Sequence, residues 1–270
     1  MATQSRRGTA YVRGGSETAP VIVLIHGLGL NLGCWDQMIP AVSESYGVLS
    51  YDLWGHGKSA RAPGAPSLRG FSEQLVHLID ELGIQRCVLV GFSLGGMINR
   101  RFAMDHPDRV AALGVLNSPH DRGPEAQKLV EERVAQTASG GPAATLDATI
   151  ERWFTDTFRQ DRPEIIEAVR GWVLANDPEI YTQCRHVLAR GVTELIRPDP
   201  PISVPTLVMT CQHDSGSTPA MTHAIASEIS GARAIVVPRL KHMGLMEEPG
   251  LFTQPILQFL RDILTEPKKP

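Results

Sequence analysis

The stretch Val88-Leu89-Val90-Gly91-Phe92-Ser93-Leu94-Gly95-Gly96 decides the fold of this 270-residue chain. The apolar run that leads into it predicts a short buried strand, and the apolar residues after Ser93 recur at helical spacing. Between the two lies Gly-x-Ser-x-Gly, a pattern typical of a sharp, strained strand-to-helix turn that exposes a serine hydroxyl. The glycines leave room for the crowded turn, and the free amides of the following helix point toward the hydroxyl. Ser93 is therefore the candidate nucleophile.

The composition is that of an ordinary globular protein. Hydrophobic residues make up 42% of the chain, charged residues 20%, and the formal net charge is -3. This balance argues against nucleic acid as a partner, and no apolar run is long enough to cross a membrane. We therefore expect neither a nucleic-acid nor a membrane partner. The sequence leaves open whether the chain is a monomer or a homodimer.

The beginning of the chain and its cysteines bear on location. The first seven residues are not followed by the apolar segment of a secretory signal. The four cysteines are far apart and form no metal-ligand pair: Cys34, Cys87, Cys184 and Cys211. We therefore expect a cytoplasmic protein with no disulfide framework and no metal site.

Strand-like and helix-like segments alternate through most of the chain. Apolar runs predict strands at 21–25, 46–51, 87–90, 110–116, 206–210 and 234–237, and residues 31–43 predict a helix. Such alternation is typical of an α/β protein, with a mostly parallel sheet covered by helices on both faces.

One stretch interrupts this alternation. Residues 122–197 contain no strand-like run, and their apolar spacing predicts four or five short helices. We interpret 1–121 and 198–270 as the core, and 122–197 as a helical cap inserted over the carboxyl ends of the strands. Open sheets of this class bind their ligands at that edge.

A serine nucleophile needs a base to accept its proton and an acid to orient the base. The best candidate base is His242, just beyond the predicted strand 234–237. The best candidate acid is Asp214, just beyond strand 206–210, and Asp121 is its one serious rival. Because Ser93, Asp214 and His242 all follow the carboxyl ends of predicted strands, we expect them on one edge of the sheet.

The negative charge that forms on a substrate oxygen needs hydrogen-bond donors. One predicted donor is the amide of Leu94, directly after the nucleophile. The other is the amide of Leu28, in the glycine-rich loop after the strand 21–25. We interpret His26 as a structural residue that bridges loops at the edge of the site.

These segments together resemble the α/β-hydrolase superfamily across nearly the whole chain: residues 26–29, 52–59 and 91–96, the Asp214 segment and His242. Within it, residues 151–155 and 175–181 look like the cap of 3-oxoadipate enol-lactonases and related small esterases. The resemblance implies cofactor-free hydrolysis of a small-molecule ester or enol-lactone, through an acyl-enzyme intermediate. His26-Gly27 departs from some enol-lactonases and draws the chain toward general esterases and cofactor-free haloperoxidases or perhydrolases.

Other functions on the same fold remain open. A carbon–carbon bond hydrolase is one alternative, although these often carry a tryptophan soon after the catalytic histidine, which this chain lacks. A non-catalytic small-molecule binding protein is another. Dehalogenases and epoxide hydrolases fit less well, because they use aspartate where this chain has Ser93.

The cap offers candidate substrate contacts. We expect Trp153, Phe154 and Arg152 to line the substrate pocket, while Trp172 packs between cap and sheet. Arginine binds carboxylates through a two-pronged hydrogen bond, and Arg152, Arg185 and Arg190 are candidates for this. The alternative is that they pair with nearby acidic residues.

Overall fold

The computed structural model describes residues 2–136 and 140–264, and an eight-stranded sheet forms their centre. The strands are β1 (Thr3–Gln4), β2 (Ala10–Gly15), β3 (Val21–Ile25), β4 (Gly47–Tyr51), β5 (Cys87–Phe92), β6 (Val110–Leu116), β7 (Thr206–Cys211) and β8 (Arg233–Val237). Their order across the sheet is β1-β2-β4-β3-β5-β6-β7-β8. Strands β3 to β8 pair in parallel, and only β2 pairs antiparallel with both its neighbours.

The middle of the sheet is the hydrophobic core. Every residue of β4, β5 and β7 is buried, as expected for parallel strands that are covered on both faces. The prediction of a mostly parallel α/β sheet is confirmed.

Helices connect the strands. They are α1 (Ile39–Ser43), α2 (Leu68–Glu81), α3 (Leu94–Asp105), α4 (Pro124–Gln136), α5 (Leu146–Trp153), α6 (Asp156–Asp161), α7 (Pro163–Leu174), α8 (Pro178–Arg190), α9 (Pro219–Ser227), α10 (Gly244–Glu247) and α11 (Gly250–Leu264). The helix predicted over 31–43 is divided into a 3₁₀ turn at Leu32–Trp35 and the short α1. Pro40 lies in the first turn of α1, where its missing N–H costs nothing, so a new helix begins there.

The described parts of the segment between β6 and β7 contain helices and no strand. It contains α4 to α8 and 3₁₀ turns at Ala143–Thr145 and Gly191–Leu195. We call residues 122–197 the cap, with bounds that remain a prediction from the sequence. None of the helices in the described ranges is long and apolar enough to span a membrane.

The parallel strands direct the candidate residues to one edge of the sheet. Ser93 follows β5, Asp214 follows β7 and His242 follows β8, each beyond the carboxyl end of its strand. Leu28 follows β3 at the same edge. Residues far apart along the chain therefore meet at one edge of the sheet, the edge at which the cap leaves β6.

Candidate active site

Ser93 lies on a strained turn between β5 and α3. Its φ is 55° and its ψ is -113°, a conformation that side-chain-bearing residues rarely adopt. A Cβ on Gly91 would collide with the carbonyl oxygen of Gly95, and a Cβ on Gly95 with that of Ile25. The glycines on either side are thus required by packing. Strain of about 1–3 kcal/mol at such a residue is typical of a functional site.

Asp214 and His242 form a close pair. Asp214 Oδ2 lies 2.6 Å from His242 Nδ1, and both residues are buried. The carboxylate also accepts hydrogen bonds from the amides of Gly216 and Ser217 and from Asn117 Nδ2, each at 2.9 Å. Burial alone would raise the pKa of Asp214, but the charge and hydrogen bond of His242 and the other donors hold it below its ordinary value. Asp214 is therefore ionised near neutral pH, and His242 Nε2 is left for a further partner.

Asp121, the rival acid, lies elsewhere. Its side chain is exposed and accepts a hydrogen bond from the amide of Gly123 at 2.8 Å. Asp121 thus stabilises a turn at the start of the cap, and the structure brings Asp214 to His242 instead.

Ser93 and His242 line one cavity of about 430 Å³. Gly27, Leu28 and Phe92 line it beside them. The His242 ring has aromatic neighbours, with the Phe92 ring centroid at 4.9 Å and that of Trp153 at 5.9 Å. The cavity therefore presents a hydroxyl and an imidazole within a partly apolar wall.

The loop after β3 lies directly against Ser93. A Cβ on Gly27 would stand 3.1 Å from Ser93 Cβ. His26 Nδ1 donates to the carbonyl oxygen of Gly27 at 2.7 Å, and its Nε2 accepts from the amide of Leu53 at 3.0 Å. Because C=O and N–H of a trans peptide point in opposite directions, the Leu28 amide points away from the His26 ring. His26 thereby fixes the orientation of one predicted oxyanion donor.

The second predicted donor is at the start of α3. Leu94 is the first residue of that helix and is fully buried. The first amides of a helix have no partner within it, so they are available to an anion near Ser93.

Two of the three predicted pocket residues line the cavity. Arg152 and Trp153 do so, but Phe154 does not. Phe154 follows the end of α5 in an extended conformation, is fully buried, and stacks on Phe158 with centroids 5.6 Å apart. It therefore packs within the cap, outside the lining of this cavity. Trp172 is also outside the cavity lining and packs near Gly33 of the core.

Asn117 was not singled out from the sequence. It follows β6 with φ of 45° and donates its amide to Asp214. Asparagine is one of the few residues that tolerates this conformation. An asparagine directly after a strand, at the edge that carries the site, is the sequence signal that identifies it.

Within the described ranges, no group of three or more His, Cys, Asp or Glu side chains is placed to hold a metal ion. The four cysteines are free and buried. Burial raises the pKa of Cys87, Cys184 and Cys211 to about 12, so these thiols stay protonated near neutral pH.

Comparisons with known proteins agree with the geometry. The chain is 28% identical over 247 residues to 3-oxoadipate enol-lactonase 2 of Acinetobacter baylyi, covering 91% of this chain and 90% of that protein. It is 29% identical over 260 residues to (E)-2-((N-methylformamido)methylene)succinate hydrolase of the same organism, covering 95% of each. The crystal structure of the enol-lactonase from Burkholderia xenovorans superposes with a TM-score of 0.84, at 29% identity, covering 93% of this chain and 96% of that one.

These relatives support hydrolase activity for the chain. The sequence profile described as "Alpha/beta hydrolase family" matches residues 22–254, from the first parallel strand into the last helix. The chain therefore belongs to the alpha/beta hydrolase family.

Proposed function

We propose that the protein is a serine hydrolase that cleaves a small carboxylic ester or lactone through an acyl-enzyme intermediate. The observation that carries this proposal is the 2.6 Å contact between Asp214 and His242, in a cavity that is also lined by the strained Ser93. The relatives of this chain include enol-lactonases, which supports a lactone or ester substrate.

The proposed reaction uses this chain's own groups and water. His242 Nε2 accepts the proton of Ser93, and Oγ attacks the substrate carbonyl. The amides of Leu28 and Leu94 hold the resulting oxyanion. His242 then protonates the leaving oxygen, and it later activates the water that releases the acid. Asp214 stays ionised throughout and holds the imidazole in the required tautomer.

The cap supplies the upper wall of this site in our proposal. Arg152 and Trp153 contribute to that wall from the end of α5, and residues of α4 and α8 line the same cavity. A substrate enclosed there is shielded from bulk water, which strengthens the interactions that stabilise the oxyanion.

The test is the Ser93→Ala variant. We expect hydrolysis of p-nitrophenyl butyrate to fall by about 10⁴-fold or more, because the attacking atom is missing. A fluorophosphonate probe should label the wild type at Ser93, as located by peptide mass spectrometry.

The matched control is His213→Ala, because His213 adjoins the proposed acid but is exposed. We expect this variant to keep wild-type activity. Full activity of Ser93→Ala would contradict the proposal. Labelling of the wild type without turnover of esters, thioesters and lactones would favour a binding protein.

A further inference from the structure

Three arginines line the cavity, and no carboxylate lines it with them. They are Arg122, Arg152 and Arg185, and the described lining residues include no aspartate or glutamate. The cavity that contains Ser93 and His242 therefore has a strongly positive wall.

The other arginines of the cap behave differently. Four of them contact carboxylates: Arg159 with Asp156, Arg162 with Glu164, Arg170 with Asp147, and Arg190 with Glu131. Among the described residues, neither Arg152 nor Arg185 has a carboxylate within 4 Å. The ion pairs of these four arginines thus lie outside the cavity lining, whereas Arg152 and Arg185 form none with a described residue.

Arg152 lies beside the proposed acid but is not paired with it. A Cβ on Gly216 would stand 3.0 Å from Arg152 Nη1 and 3.6 Å from Asp214 Oδ1. The oxygens of Asp214 are already bound by His242, Asn117 and two backbone amides. The Arg152 guanidinium is therefore close to the reacting groups, and Asp214 does not use its N–H donors.

The positive charges of Arg152 and Arg185 both act on the Tyr181 hydroxyl. Burial raises the pKa of the Tyr181 hydroxyl, and the charges of Arg185 and Arg152 both oppose this increase. Burial lowers the pKa of Arg152, the negative charge of Asp214 opposes that decrease, and the positive charge of Arg185 adds to it. Arg152, Arg185 and Tyr181 line the same cavity, and an anion bound there would be attracted by both guanidiniums.

We propose that Arg152 and Arg185 bind a carboxylate of the substrate, so that the preferred substrate is a short ester or lactone with a carboxylate a few bonds from its scissile carbonyl. A guanidinium matches the geometry of a carboxylate through parallel hydrogen bonds. Ala126, Val130 and Leu188, on α4 and α8, line the same cavity and would take the uncharged part of the molecule. This inference rests on the proposed function for the position of the scissile carbonyl.

The experiment compares two esters of equal length, mono-p-nitrophenyl glutarate and p-nitrophenyl pentanoate. We expect the wild type to favour the anionic ester in kcat/KM by at least about tenfold. Arg152→Met and Arg185→Met should each reduce that preference by about tenfold or more. Arg190→Met is the matched control, because Arg190 is paired with Glu131 and lies outside the cavity lining, and its preference should remain that of the wild type.

A binding measurement separates this proposal from the proposed function. Glutarate is titrated calorimetrically into Ser93→Ala, and into the same variant that also carries Arg152→Met or Arg152→Lys. We expect the affinity to fall most in the Met variant and less in the Lys variant, which keeps the charge but loses the fork.

Each outcome decides one of the two proposals. Equal losses on both esters, or glutarate binding that does not depend on Arg152, would overturn the carboxylate subsite while esterase activity stands. Absence of all hydrolysis, together with glutarate binding that depends on Arg152, would overturn the proposed function and uphold the subsite.

Discussion

At the scale of single residues, Asn117 determines how the proposed acid is held. Its amide donates to Asp214 Oδ2, the oxygen that also faces His242, and lies 3.4 Å from Thr210 Oγ1. A donor to a carboxylate favours the ionised form and fixes its orientation. Asn117 is therefore a positioning residue that acts on His242 through Asp214.

We predict that Asn117→Gly lowers kcat by about tenfold, the effect of one lost hydrogen bond to a charged group. Glycine keeps the positive φ of this position without strain, so the loss reports on the amide alone. The pKa of Asp214 should rise, and the acid side of the pH–rate profile should move to higher pH. The measurement is kcat/KM against pH.

Asn117→Asp is the companion variant. It keeps a residue that tolerates the conformation but places a second carboxylate beside Asp214, so the acid limb should shift further than in the glycine variant. An unchanged profile in both variants would show that Asn117 has only a structural role.

At the scale of elements, the cap contacts the loop that carries the proposed Leu28 donor. Asn176, between α7 and α8, donates its side-chain amide to the carbonyl of Gly29 at 3.1 Å. The Tyr181 ring packs against the same glycine, whose φ is 77°. The cap thus contacts the loop between β3 and the 3₁₀ turn at Leu32–Trp35 and helps to fix its conformation.

The cap also contacts the loop that carries the proposed base. The amide of Met243, next to His242, donates to the carbonyl of Trp153 at 2.8 Å. Thr155 donates its backbone amide to Glu247 at 2.9 Å. The end of α5 therefore helps to fix the position of His242.

We predict that Asn176→Ala lowers kcat severalfold and changes KM less, because the oxyanion donor loses its support in the transition state. Inhibition by butylboronic acid, which forms a tetrahedral adduct with the serine, should weaken by a similar factor. Steady-state kinetics and inhibition constants provide both readouts.

The matched control is Arg61→Ala, which removes another contact between cap and core. Arg61 pairs with Asp177 at 2.6 Å, but both side chains are substantially exposed, so this ion pair contributes little. We expect activity within about twofold of the wild type. Equal losses in Arg61→Ala and Asn176→Ala would indicate a general loosening of the cap instead.

At the scale of the whole molecule, two buried histidines couple stability to pH. Burial lowers the pKa of His26 to about 4 and that of His56 to about 3, and their ring centroids are 5.4 Å apart. Both are therefore neutral in the folded protein near neutral pH. The unfolded chain binds protons on them near pH 6.5, so it carries more protons than the folded chain between pH 6.5 and about 4.

We predict that the free energy of unfolding is greatest above pH 6.5 and decreases as the pH falls toward 4. Each histidine contributes a slope of up to about 1.4 kcal/mol per pH unit. His56→Gln should reduce the slope by about that amount, whatever its effect on stability at neutral pH. Urea unfolding at several pH values between 7.5 and 5 measures this, and identical slopes in the two proteins would contradict it.

Much of the fold was predictable because its signals are local. Buried parallel strands are short continuous apolar runs, and the turn at Ser93 needs glycines at fixed positions. The predicted helix over 31–43 was wrong in its middle. Apolar spacing does not reveal that the Asn31 side chain caps a 3₁₀ turn by binding one of its first amides, or that a new helix begins with Pro40 in its first turn.

The sequence by itself determined the alternation of strands and helices, the strained turn at Ser93 and the sheet edge at which the candidate residues lie, since each depends on spacing within a few residues. Only the tertiary structure decided that Asp214 rather than Asp121 faces His242, that Phe154 turns into the cap, and that Arg190 is paired while Arg152 is not. Those outcomes depend on side-chain direction and on partners far away in the chain, such as Asn117 and Asp214, which are 97 positions apart. Side-chain direction and contacts between distant residues are not encoded in local periodicity, because they arise only when the sheet brings its loops together.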